Sequence, residues 1–593
     1  MAGISNGTAD GIAAGEAATP LRSREWFGGG GRNGFIHRSW MRNQGFADDV
    51  MDGRPVIGIA TTWSQLTPCN AHLDDIAESV TRGVWERGGF PLIFPTMSLG
   101  EPIMRPTTML YRNLLAMELE ELLRANPLDG VVLLAGCDKT TPGMLMAAAS
   151  VDIPALMITG GPMLNGKYRG HDIGSGTDVW RLTEEHRAGK LTDDDLTVAE
   201  ACMARSPGHC MTMGTASTMA CITEALGMQL PGMAAIPAVD SRRYAMSQAA
   251  GRRIVDLVNE NVRPSDVLTR DAFENAIKVN AALGGSTNAI VHLLALAGRV
   301  EVPLELDDFD RLAADVPLLV NLMPSGRFLM EDFQYAGALP AVLQQLLPML
   351  HGDAITVGGI TIAESAAKAE RWPAQDGTDV IASLDAPIQP AGSGTVVLRG
   401  TLAPEGAVLK VSAATPALLE HEGMAHVFDS AEEYAVASDD PEFRPDPLDI
   451  LVVRGGGPVG YPGFPEIGNV PLPKTVLEQG ITDMVRISDA RMSGTGYGTV
   501  VLHVSPESAV GGPLGLVRTG DRIRRAGRDR RLDLLVDADE LATRAAQLTG
   551  DAFPLEPRGW ARLYRQTVGQ AHTGADLDFL VGRSGSEPGR HSH

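Results

Sequence analysis

Apolar residues follow two different rhythms along this chain. In the first half, short uninterrupted runs alternate with stretches of helical spacing. Val56-Ile57-Gly58-Ile59-Ala60, Leu92-Ile93-Phe94, Gly130 to Leu134 and Ala155 to Ile158 are runs of strand length. Between them, Ala71 to Glu86, Met117 to Arg124 and residues 143–150 have the apolar spacing of helices. Such alternation predicts a mostly parallel sheet with helices over its faces. Ala216 to Leu226, Ser247 to Val258 and Asp271 to Ala282 repeat the helical period. Between 351 and 395 the period fades and Pro and Gly become frequent. Beyond it come short β-type runs: Gly394 to Leu398, Ala407 to Val411, Ile450 to Val453 and Thr499 to Val504. The expected architecture is therefore an α/β domain over 21–385 followed by a β-rich, barrel-like domain over 386–593. Residues 1–20 are small and polar and read as a disordered tail. Residues 21–53 read as a glycine-rich arm with little core of its own.

Charge and composition narrow the function. The formal net charge of −23 argues against nucleic acid as a partner. A small anionic substrate stays compatible with it, because a local cation reverses the field in one pocket. No apolar run approaches the ~18 residues that span a bilayer, and the first twenty residues lack the pattern of a signal peptide. Five cysteines in 593 residues do not make a disulfide scaffold. Free thiols fit a reducing cytoplasm.

The candidate chemistry begins with those cysteines. Cys202 and Cys221 sit in helical patterns and read as small buried hydrophobes. Cys69, Cys137 and Cys210 sit instead in turn-like settings, Thr-Pro-Cys-Asn, Gly-Cys-Asp-Lys and Pro-Gly-His-Cys. Cys69 and Cys137 fall just beyond predicted strand ends, where ligands collect in parallel sheets. Three thiolates without a fourth suggest an iron–sulfur cluster with one iron open as a Lewis acid. Zinc with three protein ligands and a water competes with that reading. So does an iron–sulfur redox protein, although carriers commonly ligate every iron fully. Asp138-Lys139 is either a site for a hard cation such as Mg²⁺ or an exposed salt-bridged pair. Arg491 to Gly498 sets a serine among small residues, and a second glycine-rich loop over 455–466 carries a single carboxylate. No phosphate-binding glycine motif follows a strand, which argues against a nucleotide.

Five stretches, taken together and in order, resemble the dihydroxy-acid and sugar-acid dehydratase family. They are Pro-Cys-Asn (68–70), Gly-Cys-Asp-Lys-Thr-Thr-Pro (136–142), Gly-His-Cys-Met-Thr-Met-Gly (208–214), Gly-Gly-Ser-Thr-Asn (284–288) and Asp-Ala-Arg-Met-Ser-Gly-Thr (489–495). The resemblance implies a [2Fe–2S] cluster on Cys69, Cys137 and Cys210. It implies Mg²⁺ held by Glu101, Asp138, Glu466 and a carbamylated Lys139. Ser493, as an alkoxide, is the implied base, with Thr495 beside it. The implied substrate is a sugar acid, L-arabinonate or a related aldonate, dehydrated to a 2-keto-3-deoxy acid. A branched-chain 2,3-dihydroxy acid is the alternative. Members of the family are homodimers or homotetramers, which is the expectation here.

Overall fold

The computed structural model describes residues 20–527, 529–547, 553–585 and 588–589. The tail expected over 1–20 lies, but for Pro20, outside the described residues. Four strands, β1 (Val56–Thr61), β2 (Phe90–Pro95), β3 (Gly130–Ala135) and β4 (Ala155–Thr159), form one parallel sheet in the order β2-β1-β3-β4. Every residue of β1, β3 and β4 is buried, which is why these segments are apolar throughout. The helices α1 (Leu73–Glu86), α2 (Met109–Ala125) and α3 (Thr140–Val151) make the crossovers. Helix α1 packs against the long helix Ser241–Glu260 at a glycine contact. A Cβ on Gly83 would overlap the carbonyl of Gln248, and one on Gly251 that of Val80.

The arm is more structured than its composition suggests. It forms the helix Gly31–Arg42, and Phe27, Val50 and Met51 join the main core. After β4 a hairpin, β5 (Gly166–Tyr168) and β6 (His171–Ile173), leads into two helices, Thr177–Arg187 and Asp193–Met203. This unit has a small core of Tyr168, Ile173, Leu182 and Ala199. The predicted helices that follow are present as Thr215–Ala225, Ser241–Glu260 and Arg270–Leu283.

The second half is built on eight strands: β7 (Thr395–Leu398), β8 (Gly406–Lys410), β9 (Glu420–Phe428), β10 (Ile450–Val453), β11 (Val485–Ser488), β12 (Val500–Ser505), β13 (Arg522–Ala526) and β14 (Arg531–Leu534). Their order is β14-β13-β9-β10-β11-β12-β8-β7. A bridge between Arg399 and Arg531 brings the two edges together, so the sheet is a nearly closed barrel. Alternate residues divide between two cores. Val396, Leu409, Ile487 and Val501 fill the barrel, whereas Val397, Val408, Val500 and Leu502 pack into the core of the α/β half. Charge reinforces the join: Arg299, fully buried, binds Glu120 at 3.1 Å and Asp576 at 2.7 Å. Among the described residues no helix is long and apolar enough to cross a membrane.

Candidate active site

The sheet delivers its chemistry at the carboxyl ends of the strands. After β1 the chain turns through Pro68-Cys69-Asn70, and after β3 through Gly136-Cys137-Asp138. Asn70 joins the two turns: its Oδ1 accepts from the Cys137 amide at 3.0 Å, and its Nδ2 donates to Thr62 O at 3.1 Å. Only glycine fits at 136, where a Cβ would stand 2.5 Å from Asn70 Oδ1 and 2.6 Å from Cys69 O. Cys210 arrives on a third segment. Its neighbour His209 donates its amide to Gly161 O and accepts from the Met163 amide, which pins the segment just past β4. Hydrogen bonding to Cys69, and then burial, hold the Cys137 thiol well above its usual range. Burial pushes Cys210 up to about 12. Both thiols thus stay protonated until a positive centre displaces the proton.

Beside the thiols lies a carboxylate group around one amine. Lys139 Nζ has no solvent exposure and lies 2.6 Å from Asp138, 3.4 Å from Glu101 and 3.5 Å from Glu466. The exposed Asp–Lys pair considered from sequence is therefore excluded. Burial, opposed by the Lys139 charge, raises the Glu101 carboxyl to about 7. Burial also pushes Glu466 upward, but Lys139 and Arg491 outweigh it and leave that carboxyl below its ordinary value.

Several groups that hold this arrangement carry no role in the sequence reading. Arg491 donates to Glu466 Oε1 at 2.9 Å, to Phe464 O at 2.6 Å and to Thr107 Oγ1 at 3.4 Å. Thr107 in turn donates to Glu101 Oε1 at 3.2 Å. Asn288 Nδ2 donates to the same Glu466 oxygen at 2.8 Å, while its Oδ1 is buried without a donor among the described residues. Arg491 and Asn288 both stand in stretches quoted above, so the signal was present in the motifs. Thr107 has no such mark.

Ser493 follows β11 on a tight loop. Its Oγ is 2.8 Å from Thr495 Oγ1, and the Thr495 amide donates to it at 3.4 Å. Gly494 permits the close approach, since a Cβ there would meet Thr215 N at 2.6 Å. One cavity of about 460 Å³ is lined by Cys69, Cys137, Cys210, Glu101, Asp138, Glu466, Ser493 and Thr495. Eight of the nine predicted residues thus share one space, and Lys139 lies behind three of them. Cys202 and Cys221 do not line it.

Among the described residues no three His, Cys, Asp or Glu side chains stand ready to hold a metal ion. The donor chemistry nevertheless fits the implied groups. Oxygen donors from three carboxylates gather on a single positive charge, as a hard cation requires. The three thiols are soft ligands held in turns. The unmet Asn288 Oδ1 leaves one more acceptor on a side chain bound to Glu466.

Comparison with known proteins agrees in both halves. Residues 54–365 match the dihydroxy-acid/6-phosphogluconate dehydratase N-terminal family, and 379–575 match its C-terminal counterpart. The chain is 54% identical to the L-arabinonate dehydratase of Rhizobium leguminosarum bv. trifolii, over 97% of this chain and 98% of the relative. It is also 54% identical to the L-arabonate dehydratase of Azospirillum brasilense, over 97% and 99%. Identity to the 6-deoxy-6-sulfo-D-gluconate dehydratase of Pseudomonas putida is 47%, over 96% and 98%. With its two halves matched in order and relatives similar from end to end, the chain is a hydro-lyase belonging to the dihydroxy-acid/6-phosphogluconate dehydratase family.

Proposed function

We propose that this chain removes water from a sugar acid, L-arabinonate or a related aldonate, and releases the 2-keto-3-deoxy acid. One observation carries the reading: three thiols, three carboxylates and a serine–threonine pair from distant segments line one cavity. The printed names of the two relatives at 54% identity support the choice of acid.

In this reading Cys69, Cys137 and Cys210 hold a [2Fe–2S] cluster, while Glu101, Asp138, Glu466 and a carbamylated Lys139 hold Mg²⁺. When bound, the two centres supply Lewis acidity toward the leaving hydroxyl and toward the substrate carboxylate with its second-carbon hydroxyl. Ser493 takes the proton from the second carbon. A serine oxygen is a usable base only if its anion is stabilised. Thr495 contributes to that through both its hydroxyl and its amide, at 2.8 and 3.4 Å. The carbon–oxygen bond at the third carbon breaks, and with one proton that hydroxyl leaves as water. The enol left behind takes a proton at the third carbon and becomes the ketone. The balance is one dihydroxy acid to one keto acid and one water, with no net redox change. A homodimer or homotetramer in the cytoplasm belongs to the same reading.

The test is a panel of pentonates, hexonates and 2,3-dihydroxyisovalerate, read as 2-keto acid formed, with iron, sulfide, zinc and magnesium measured on the same preparation. Keto acid from a pentonate and iron matched by sulfide are expected. An iron-free protein at full activity would overturn the cluster assignment. A second reading, the branched-chain dihydroxy-acid enzyme, is favoured by one observation: the wall formed by Met163, Val179, Trp180 and Ala204 is largely apolar. Preference for dihydroxyisovalerate over every aldonate would replace the first reading with the second.

A further inference from the structure

We infer that Asn288 is a positioning residue that docks the base loop and the metal-binding carboxylate of the barrel half, as one unit, onto the α/β half. The inference rests on the dehydratase reading above and deepens it.

Asn288 has no solvent exposure, and its Nδ2 reaches three segments at once. It lies 2.8 Å from Glu466 Oε1, 3.1 Å from Met492 O and 2.9 Å from Thr215 Oγ1. An ionised carboxylate and a carbonyl can only accept, so they fix the amide with its N–H groups toward them. Two N–H groups thus serve three acceptors, and Thr215 Oγ1 has a further partner in Ser286 Oγ at 2.9 Å. Met492 O belongs to the peptide that joins Met492 to Ser493, so the bond to it holds the plane from which the base projects. Asn288, Arg491 and Lys139 all approach Glu466 through Oε1, at 2.8, 2.9 and 3.5 Å. Glu466 lines the cavity, and its Oε2 has no hydrogen-bond partner among the described residues. One oxygen is held by the protein and the other is left for a cation.

The anchor is itself fixed in the α/β half. Asn288 opens the helix Asn288–Arg299, whose last residue is bound to Glu120 and Asp576. The Asn288 amide donates to Ser286 Oγ at 3.2 Å, and the Ser286 amide donates to Thr218 Oγ1 at 3.1 Å. The base loop presses on the same serine, since a Cβ on Gly494 would stand 2.8 Å from Ser286 Oγ. Within the barrel half, Arg491 already joins the two loops through Phe464 O and Glu466. Asn288 therefore grips a unit that is joined beforehand, and sets where it stands against the half that carries the thiols, Glu101 and Asp138.

The experiment pairs steady-state turnover of the best acid of the panel with calorimetric titration of Mg²⁺ into the cluster-loaded, magnesium-free protein. In Asn288→Ala the Mg²⁺ Kd is expected to rise roughly 10–100-fold, the scale for losing a group that orients a ligand. At saturating Mg²⁺, kcat is expected to stay roughly 10–100-fold below wild type, because the peptide before Ser493 has lost its anchor. Asn288→Ser keeps a polar helix start and replaces alanine if that variant fails to fold. Its hydroxyl is a bond shorter than the amide nitrogen, so the same two losses are expected. A lower melting temperature with both constants near wild type would mark Asn288 as merely structural and overturn the inference. So would a weaker Kd with kcat restored by excess Mg²⁺, which removes the link to the base. A wild type inactive on every acid fells the dehydratase reading, and the titration alone then decides, an unchanged Kd in the variant overturning the inference. A wild type that binds no Mg²⁺ fells the metal assignment and the inference together.

Discussion

Arg491 Nη1 donates to Glu466 Oε1 across 2.9 Å from a side chain with no solvent exposure. The same guanidinium fixes the backbone two residues before that glutamate, through Phe464 O at 2.6 Å. One side chain thus sets both the place and the charge of a carboxylate in the cavity. Arg491→Met leaves Glu466 buried without its guanidinium partner. A loss of roughly 3–5 kcal/mol in unfolding free energy is expected, the range for breaking one side of a buried pair. Denaturant melts check it, and an unchanged midpoint would refute the positioning role.

Ser493→Ala removes the proposed base without disturbing packing, because the loop is shaped by its glycines. Turnover should fall by roughly 10²–10⁴-fold, the usual scale for losing a positioned base. Iron content and melting temperature should stay at wild-type values. Near-normal rates would sink the assignment.

The five cysteines should divide three to two. Serine at 69, 137 or 210 should strip iron from the purified protein, since each thiol lines the cavity. Serine at 202 or 221 should leave the iron-to-protein ratio untouched, because neither lines it. Iron loss in the second pair would mean that the cluster ligands are misassigned.

Gly136→Ala should act on the same ratio from the backbone. The added methyl would stand 2.5 Å from Asn70 Oδ1 and 2.6 Å from Cys69 O. It forces the turns bearing Cys69 and Cys137 apart, at a cost of about 1–3 kcal/mol for overpacking. Lower iron occupancy together with a lower melting point is expected. Full occupancy would show that the turns can separate without consequence.

Lys410 gives a pH signature away from the site. Its Nζ is buried with no hydrogen-bond partner among the described residues, and burial alone pulls its ammonium down to about 7 from an ordinary 10.5. The unfolded chain therefore binds a proton that the folded chain has lost between those two values. Stability should rise as pH climbs from about 7 to 10.5, and the penalty should be complete below about 7. Lys410→Met should flatten that rise and stabilise the protein at neutral pH by roughly 2–4 kcal/mol. Parallel pH dependence in mutant and wild type would show that the amine is not desolvated.

The strands most legible in the sequence are those whose burial is complete, although half-exposed β2 was also found. Strands β1, β3 and β4 are covered on both faces, so their apolar runs stand out before any partner is known. Two strands that escaped notice, β9 and β13, are half-exposed and held by charges across the sheet. Glu422 of β9 lies opposite Arg524 of β13 and binds Arg522 at 2.9 Å. Read singly, Arg522–Ala526 looks like a polar loop, and only its neighbour makes it a strand. The unit over 166–203 was missed for a similar reason, since its core is four residues small. In the site, cysteines in turns were conspicuous because composition isolates them. Thr107 was not, because its importance lies in bridging Arg491 and Glu101, which no local pattern records.

The buried guanidinium groups of the first half depend on acceptors supplied near the end of the second. Arg112 donates to the carbonyls of Gly574 and Ala575, and the former lies 462 positions downstream. Arg299 waits on Asp576, 277 positions away. Without that stretch, closing the α/β half would take both cations out of water short of these acceptors. The buried guanidinium groups therefore couple the closing of the α/β half to the arrival of the 574–576 stretch.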